Sequence, residues 1–395
     1  MQADAGQPAA SGTLARSDSM GAWGAWLGGR QRTGGRADCP AGPVVYMHSE
    51  TGRRPAYLHV LERLFGARRG HVRDLFLSRA AVIFLAVEET FLLYVLVALV
   101  RALAGRRTVG LLLRPMPIAV SPRLRCRFRR MVLRAMKRCR TVRTLTIVPF
   151  NVFPAFSTIA DDWIYDFQLW DVTEEEREAV EQLRRERRPG NRFVMTALGT
   201  QSRGKGFDLF SDAIARFSVL RKRFTFLACG KVSPDIAEYA LVLEEAGGVA
   251  VDRALSHAEL LGAYAASDAI WCFYPRAGDH ASGILGRAVQ LGIPVVVRQG
   301  SLAHRLCTVE NLLHIAVAPE QIIERLTGPL PPQNIAWGRY AARRFAQRSE
   351  ATLREAFGMA PEPAAKTADA SQGASPAISS SRDPTTTTAA FQEPP

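Results

Sequence analysis

Long apolar runs are missing from this chain of 395 residues. The nearest candidate, FLLYVLVALV from Phe91 to Val100, is bounded by Glu88 and Glu89 before it and Arg101 after it. It falls well short of the about 20 apolar residues that a hydrocarbon core requires, so it is expected to be a buried helix crossing between parallel strands. The first forty residues lack a charged start followed by an apolar core and a cleavage site, which predicts a cytoplasmic protein without a secretory signal. Cysteine is sparse and scattered: Cys39, Cys126, Cys139, Cys229, Cys272 and Cys307 show no paired short spacing. That excludes a zinc ribbon or a disulfide framework and predicts reduced, buried thiols, with no metal indicated. Acids are also scarce, 37 against 51 Lys and Arg, a formal net charge of +14. The basic excess lacks the interleaved aromatics and motifs of nucleic-acid readers, so no nucleic-acid partner is expected.

What is present is most informative from Ala281 to Val297, ASGILGRAVQLGIPVVV. A Ser-Gly helix start, an amphipathic helix, a Gly-Ile-Pro turn and a buried strand follow one another without interruption. Upstream, Ala269 to Pro275 (AIWCFYP) reads as a strand and Arg276 onward as a loop. A strand, a loop and a helix amino terminus make an anion site, because unpaired N–H groups and the positive end of the helix dipole face the same point. Phe193 to Leu198 is a second buried strand, followed by the Gly-rich loop GTQSRGKG, Gly199 to Gly206. Phe207, Phe210, Ile214 and Phe217 then recur at helical spacing. Further alternation follows: a strand from Phe224 to Cys229 ending in Gly230-Lys231, a Ser233-Pro234 helix start, a strand from Val249 to Val251, and a capping box at Ser256 and Glu259. Strands alternating with helices predict a parallel, Rossmann-like sheet with right-handed crossovers.

The series KGFDLFSDAI from Lys205, LACGK from Leu227, LSHAELLGAYAASDAIWCFYP from Leu255 and ASGILGRAVQLGIPVVV resembles the donor-binding domain of GT-B glycosyltransferases. More narrowly, it is similar to the retaining bacterial group 1 enzymes, glycosyltransferase family 4. The resemblance implies an α/β fold of two Rossmann-like domains facing across a cleft. It implies transfer of a sugar from a nucleoside diphosphate donor to a glycan or lipid-linked acceptor, with retention and without a cofactor. In that family the loop after the first donor-domain strand brings an Arg and a Lys to the diphosphate. Lys205 holds the Lys position; the Arg position falls on Thr200, with Arg203 as a substitute. Of the family's two acids, the first, near the transferred sugar, aligns with Asp279, and the second, on the ribose, with Arg287. A guanidinium has donors only and does not imitate a carboxylate that accepts ribose hydroxyls. Two outcomes stay open: Arg287 reaches a phosphate in a divergent enzyme, or the domain has kept its fold, lost its donor and become a binding or assembly partner.

The donor site is accordingly expected to draw on Gly199, Thr200, Arg203, Gly204 and Lys205, on Gly230 and Lys231, and on Tyr274, His280, Ser282, Gly283, Ile284 and Arg287. Lys205, Asp279 and His48 are the expected catalytic residues. Each has a plainer reading: Lys205 as a solvated first-turn lysine, Asp279 as a turn stabiliser, His280 as a solvated neighbour and His48 as a structural histidine.

The amino-terminal half opens with the strand Val44 to Met47, the turn HSETGRR and a helix carrying Tyr57, Val60, Leu61 and Leu64. His48, Gly52, Arg53 and Arg114 are the expected acceptor-side residues. Ala81 to Val87 suits a strand, Glu88 to Ala104 a helix, and Val109 to Leu113 and Leu145 to Pro149 further strands. Arg123 to Arg143 reads as an amphipathic basic helix, with Leu124, Phe128, Met131, Val132, Ala135 and Met136 among the arginines. Its basic face either lies on an anionic membrane surface, in a glycosyltransferase with a lipid-linked acceptor or in a basic membrane-surface adaptor, or is solvated while the apolar stripe packs on the sheet. The expected organisation is a disordered extension at 1–43, an acceptor domain at 44–171, a hinge helix and linker at 172–190, a donor domain at 191–335, a helix at 336–358 and a disordered tail at 359–395. Ala160 to Asp171 (ADDWIYDFQLWD) reads as hinge and cleft wall, Thr173 and Glu176 as a capping box. The resemblance implies that the last helix, Trp337 to Phe357, crosses back onto the first domain.

Overall fold

A computed structural model describes residues 42–50, 54–187, 190–279 and 281–360. The expected disordered ends fall almost wholly outside these residues, as do Gly52, Arg53 and His280. The first half runs β1 (Val44–Tyr46), α1 (Arg54–Phe65), β2 (Arg68–Arg69), α2 (Val72–Leu77), β3 (Val82–Leu85), α3 (Phe91–Leu103), β4 (Thr108–Leu112), α4 (Pro115–Val120), α5 (Leu124–Met136), β5 (Val142–Thr146) and β6 (Asp162–Trp163). These strands form one six-stranded sheet, order β2-β1-β3-β4-β5-β6, with every pair parallel. The second half runs α6 (Glu174–Glu186), β7 (Phe193–Leu198), α7 (Phe207–Arg216), α8 (Ser218–Arg223), β8 (Phe224–Cys229), α9 (Glu238–Glu245), β9 (Val249–Val251), α10 (His257–Ala266), β10 (Ala269–Cys272), α11 (Gly283–Gln290), β11 (Val295–Arg298), α12 (Leu302–Val309), β12 (His314–Val317), α13 (Ile322–Thr327) and α14 (Ile335–Phe357). Its six strands are also all parallel, in the order β12-β11-β10-β7-β8-β9.

Both sheets are the two-sided kind that parallel crossovers demand, so central strands such as β3 and β10 are unbroken, buried apolar runs, while the edge strands β2 and β6 are not. Val295, Val296 and Val297 are fully buried, each contributing about 1.5–3 kcal/mol on leaving water. In the second sheet the strand order reverses between β7 and β10, which opens a crevice at their carboxyl ends. In the first it reverses between β1 and β3. The capping boxes at Thr173/Glu176 and Ser256/Glu259 both form. Ser233 makes no side-chain cap; a 3-10 turn at Pro234–Ile236 precedes α9 instead.

The aromatic stretch between the halves is packed from both sides. Phe167 lies 4.8 Å from Tyr57 of α1, and Tyr165 lies 4.2 Å from Phe345 of α14. The Tyr165 hydroxyl donates to Glu310 at 2.9 Å and its N–H to Ser349 Oγ at 3.0 Å. One apolar core thus runs from the first sheet through this segment to the inner face of the second, and a second core fills the outer face. Helix α14 does cross back: Phe357 stacks edge-on at 5.3 Å from Phe65, and Arg348 pairs with Asp162 at 2.8 Å.

Two expectations for the first half need correction. Helix α3 is not buried: Phe91, Tyr94, Val97, Ala98 and Arg101 face inward, while Leu92, Leu96, Leu99, Val100 and Leu103 are exposed. An unbroken apolar run covers a helix on all sides, but a crossover helix has one face on its sheet. The expected stripe of the basic helix packs only in part, through Val132 and Met136. Leu124, Phe128 and Met131 point outward, whereas Leu133 and Met136 supply the buried side. Arg101 is the polar anchor of this region. Its guanidinium donates to the carbonyls of Leu75, Ser78, Ala80 and Arg107 and to Thr108 Oγ1.

Candidate functional site

The loop after β7 turns back sharply because Gly199 and Gly206 take φ of 82° and 69°, a region that penalises side chains. Gly206 has a second constraint, since a Cβ there would overlap the Phe273 carbonyl. Gln201, 2% exposed, braces the loop from inside by donating to the carbonyls of Ala197 and Gly199 at 3.1 and 2.8 Å. The loop after β10 leans on it, with Gly278 against the Gly204 carbonyl.

These turns bring several expected donor residues to one corner at the switch point. Lys205 Nζ stands 4.4 Å above the Tyr274 ring. The Tyr274 hydroxyl lies 2.7 Å from Ser282 Oγ, and Ser282 accepts the Leu285 N–H at 3.5 Å as the N-cap of α11. Ile284 covers Gly199, and Gly230 abuts the Gly199 carbonyl. The corner therefore presents an ammonium group, an aromatic face and the positive end of a helix, a combination suited to an anion attached to a planar or apolar group. Burial raises the Tyr274 hydroxyl well above its ordinary pKa. It also lifts the Cys272 thiol to about 11 against the pull of Lys205, so both stay neutral.

Gly283 has another use than ligand approach. The Gln168 side chain, from the segment joining the halves, occupies the space where a Gly283 Cβ would stand. Gly286 is likewise pressed on the Gln168 backbone. Gln168 Oε1 is buried without a hydrogen-bond partner beside this helix start.

Other expected residues are turned elsewhere. Arg287 is paired with Asp171 at 3.2 Å; burial works against its charge, but the Asp171 carboxylate outweighs it and raises the guanidinium pKa. Gln290 donates to the other Asp171 oxygen at 3.1 Å. Arg287 is thus a tie to the joining segment. Arg203 points toward Asp208, Asp235 and Glu238 at 3.7–4.0 Å and lies over Tyr239, so it does not join Lys205. Thr200 and Lys231 are exposed at the loop rim.

Asp279 is brought to a cleft between the two sheets, though with its oxygens engaged. One accepts from Arg298 at 2.9 Å and the other from the Leu302 N–H at 2.9 Å, capping α12. Burial, outweighing both contacts, lifts its carboxyl above the ordinary range. Arg298 also donates to the Tyr274 carbonyl at 2.9 Å and so ties the cleft to the Lys205 corner. The cleft holds about 370 Å³ and is lined by Arg114, Pro115 and Met116 from the first half and by Arg276, Asp279 and Ala281 from the second. Arg114, expected on the acceptor side, therefore lines the same cleft as Asp279. Its backbone N–H and that of Leu113 are held by Glu88 at 2.7 and 3.3 Å. His48 is exposed at the end of β1.

Arg298, Gln168, Gln201, Glu88 and Asp171 had no motif to mark them. The one usable signal was at Asp171, in an acid-dense stretch beside the expected cleft wall. Among the described residues no group of His, Cys, Asp and Glu is arranged to hold a metal ion.

No protein-family model and no curated protein sequence matches this chain. Solved structures do. WaaG, a glycosyltransferase involved in lipopolysaccharide biosynthesis, is similar at 16% identity and TM-score 0.43, covering 79% of this chain and 84% of its own. The catalytic domain of starch synthase IV from Arabidopsis thaliana, bound to ADP and acarbose, gives 12%, 0.43, 71% and 72%. A UDP-forming trehalose-phosphate synthase from Burkholderia xenovorans, in complex with glucose-6-phosphate, gives 12%, 0.39, 68% and 69%. By its own topology the chain holds two all-parallel, Rossmann-like sheets, with its last helix returning to the first half.

Proposed function

We propose that this protein is a glycosyltransferase that holds a nucleoside diphosphate sugar at the carboxyl ends of β7 and β10 and an acceptor in the cleft against Arg114. The observation that carries the reading is the convergence of Lys205, Tyr274 and Ser282 at the start of α11. Charge on a departing diphosphate grows as the glycosidic bond breaks, and a preorganised cation with helix N–H groups stabilises that state more than the ground state. Lys205 is the cation; the first N–H groups of α11 are the dipolar partner. Asp279, fixed by Arg298, faces the cleft where the sugar would be exchanged. The resemblance to retaining group 1 enzymes favours retention at the anomeric carbon, a glycan or lipid-linked acceptor, and chemistry without a metal or cofactor.

One observation favours a second reading, a donor-binding or assembly protein without turnover. Arg287 is paired with Asp171, and Arg203 lies within 4.0 Å of Asp208, Asp235 and Glu238. Incubation with UDP-, GDP- and ADP-sugars, followed by detection of released nucleoside diphosphate and of transferred sugar, separates the two. Release that disappears in Lys205→Ala supports the transferase; tight binding with no release under any acceptor supports the second reading.

A further inference from the structure

Between Glu89 and Asp161 the chain has no Asp or Glu, and this stretch carries fourteen Lys and Arg, the whole of the net charge of +14. The remainder of the sequence is balanced. Helices α3 and α5 both lie within this stretch. They are the crossovers of the successive parallel pairs β3–β4 and β4–β5, and right-handed connections put both on one face of the sheet. Their contact is direct, with the Arg129 guanidinium 5.1 Å over the Phe91 ring.

The outer surface of that face is unusual for a water-facing one. On α3, Leu92, Leu96, Leu99 and Leu103 are 76, 54, 56 and 92% exposed. The helix's only charged side chain, Arg101, is turned inward. On α5, Leu124, Phe128 and Met131 add a second exposed apolar row. Beside it Arg127, Arg130, Arg134 and Arg138 line an open groove around Met131. Two features coincide here: a contiguous leucine ridge that water disfavours, and a dense set of guanidiniums with no acid among them.

We propose that this face docks the protein on an anionic lipid bilayer, the α3 leucines entering the boundary between headgroups and acyl chains and the α5 arginines holding lipid phosphates. No described helix is long and apolar enough to cross a membrane, so the attachment is interfacial. Charge complementarity selects the occupant. A second copy docked through the same face would bring two acid-free, arginine-lined surfaces together, whereas anionic headgroups neutralise the arginines while the acyl region takes the leucines. A nucleic acid would satisfy the arginines and leave the leucine ridge in water.

This inference is independent of the transferase reading, since its readout is binding. The full chain is sedimented with vesicles of phosphatidylcholine alone and with vesicles that also contain phosphatidylglycerol. Binding should be about tenfold or more stronger to the anionic vesicles. Leu96→Asp with Leu99→Asp, and separately Arg127→Glu with Arg134→Glu, should each lower it by about tenfold or more, with circular-dichroism melting unchanged. Equal binding to both vesicle types, or leucine variants that bind like the parent, overturns the proposal. So does light scattering that finds a dimer in the parent and a monomer in the leucine variant, which assigns the face to a second copy.

Discussion

The Tyr274 hydroxyl sits 2.7 Å from Ser282 Oγ, and the same tyrosine ring lies 4.4 Å beneath Lys205 Nζ. Ser282 is therefore both the cap of α11 and the group that orients the floor under Lys205. Ser282→Ala removes the cap and leaves the buried Tyr274 hydroxyl without this partner. It should lower stability by about 1–2 kcal/mol and weaken nucleoside diphosphate binding. Thermal unfolding with and without ligand measures both effects in one series.

Arg287 and Asp171 form the tie between α11 and the segment that joins the two halves. Asp171 is 9% exposed at its side chain, so removing its cation strands a charge in a poorly solvated place. Arg287→Met is expected to cost about 3 kcal/mol, and adding Asp171→Asn should recover most of it. The recovered double variant should bind nucleoside diphosphate like the parent. A double variant as stable as the parent but unable to bind would return Arg287 to the phosphate.

Gly283→Ala tests whether close packing or ligand approach dictates the glycine. A methyl group there collides with the Gln168 side chain. Stability should fall by about 1–3 kcal/mol, and Gln168→Ala in the same chain should restore part of it. Chemical denaturation of the single and double variants gives the coupling.

Glu88 makes stability depend on pH in a defined direction. Burial raises its carboxyl pKa in spite of the N–H groups of Glu88, Arg114 and Leu113. A folded pKa above the unfolded value means that the unfolded chain ionises first as pH rises from about 4.5. The stabilisation is therefore complete below that pH and is lost as pH climbs through the folded pKa. Glu88→Gln keeps one acceptor oxygen for the Arg114 N–H, replaces the other by an NH2 group and does not ionise, so its loss of the second bond is a pH-independent offset. Its melting temperature relative to the parent should rise between pH 4 and pH 8, roughly the interval in which a raised carboxyl titrates. A constant offset across that interval would contradict the assignment.

Much of the second sheet was legible in the sequence because its signals are local. Buried parallel strands such as Phe193–Leu198 and Phe224–Cys229 are unbroken apolar runs, and the Ser256/Glu259 and Thr173/Glu176 boxes announce their helices. The first sheet was blurred where local signals compete. Strand β3 stops at Leu85 because Ala86 takes φ of 61°, a conformation that no alanine advertises. Helix α3 looked buried because its apolar run is continuous, and only the topology shows that one face has a sheet to cover it. The proximity of Lys205, Tyr274 and Ser282 was legible because all three lie in or beside loops at strand ends. The contacts of Arg203 and Arg287 were not legible because their carboxylate partners, Asp235 and Glu238 on one side and Asp171 on the other, are chosen by tertiary packing. Arg298 was missed for the same reason: it ends a valine strand and becomes part of the site only through Asp279 and the Tyr274 carbonyl.

The most direct test of the central claim, that the corner formed by Lys205, Tyr274 and the start of α11 holds a diphosphate, is isothermal titration of UDP, GDP and ADP into the parent chain and into Lys205→Ala. One nucleoside diphosphate should bind the parent with a micromolar dissociation constant and bind Lys205→Ala about tenfold or more weakly, a loss of about 1.4 kcal/mol or more, with melting unchanged. No binding by any of the three, or equal binding by parent and variant, would contradict the account.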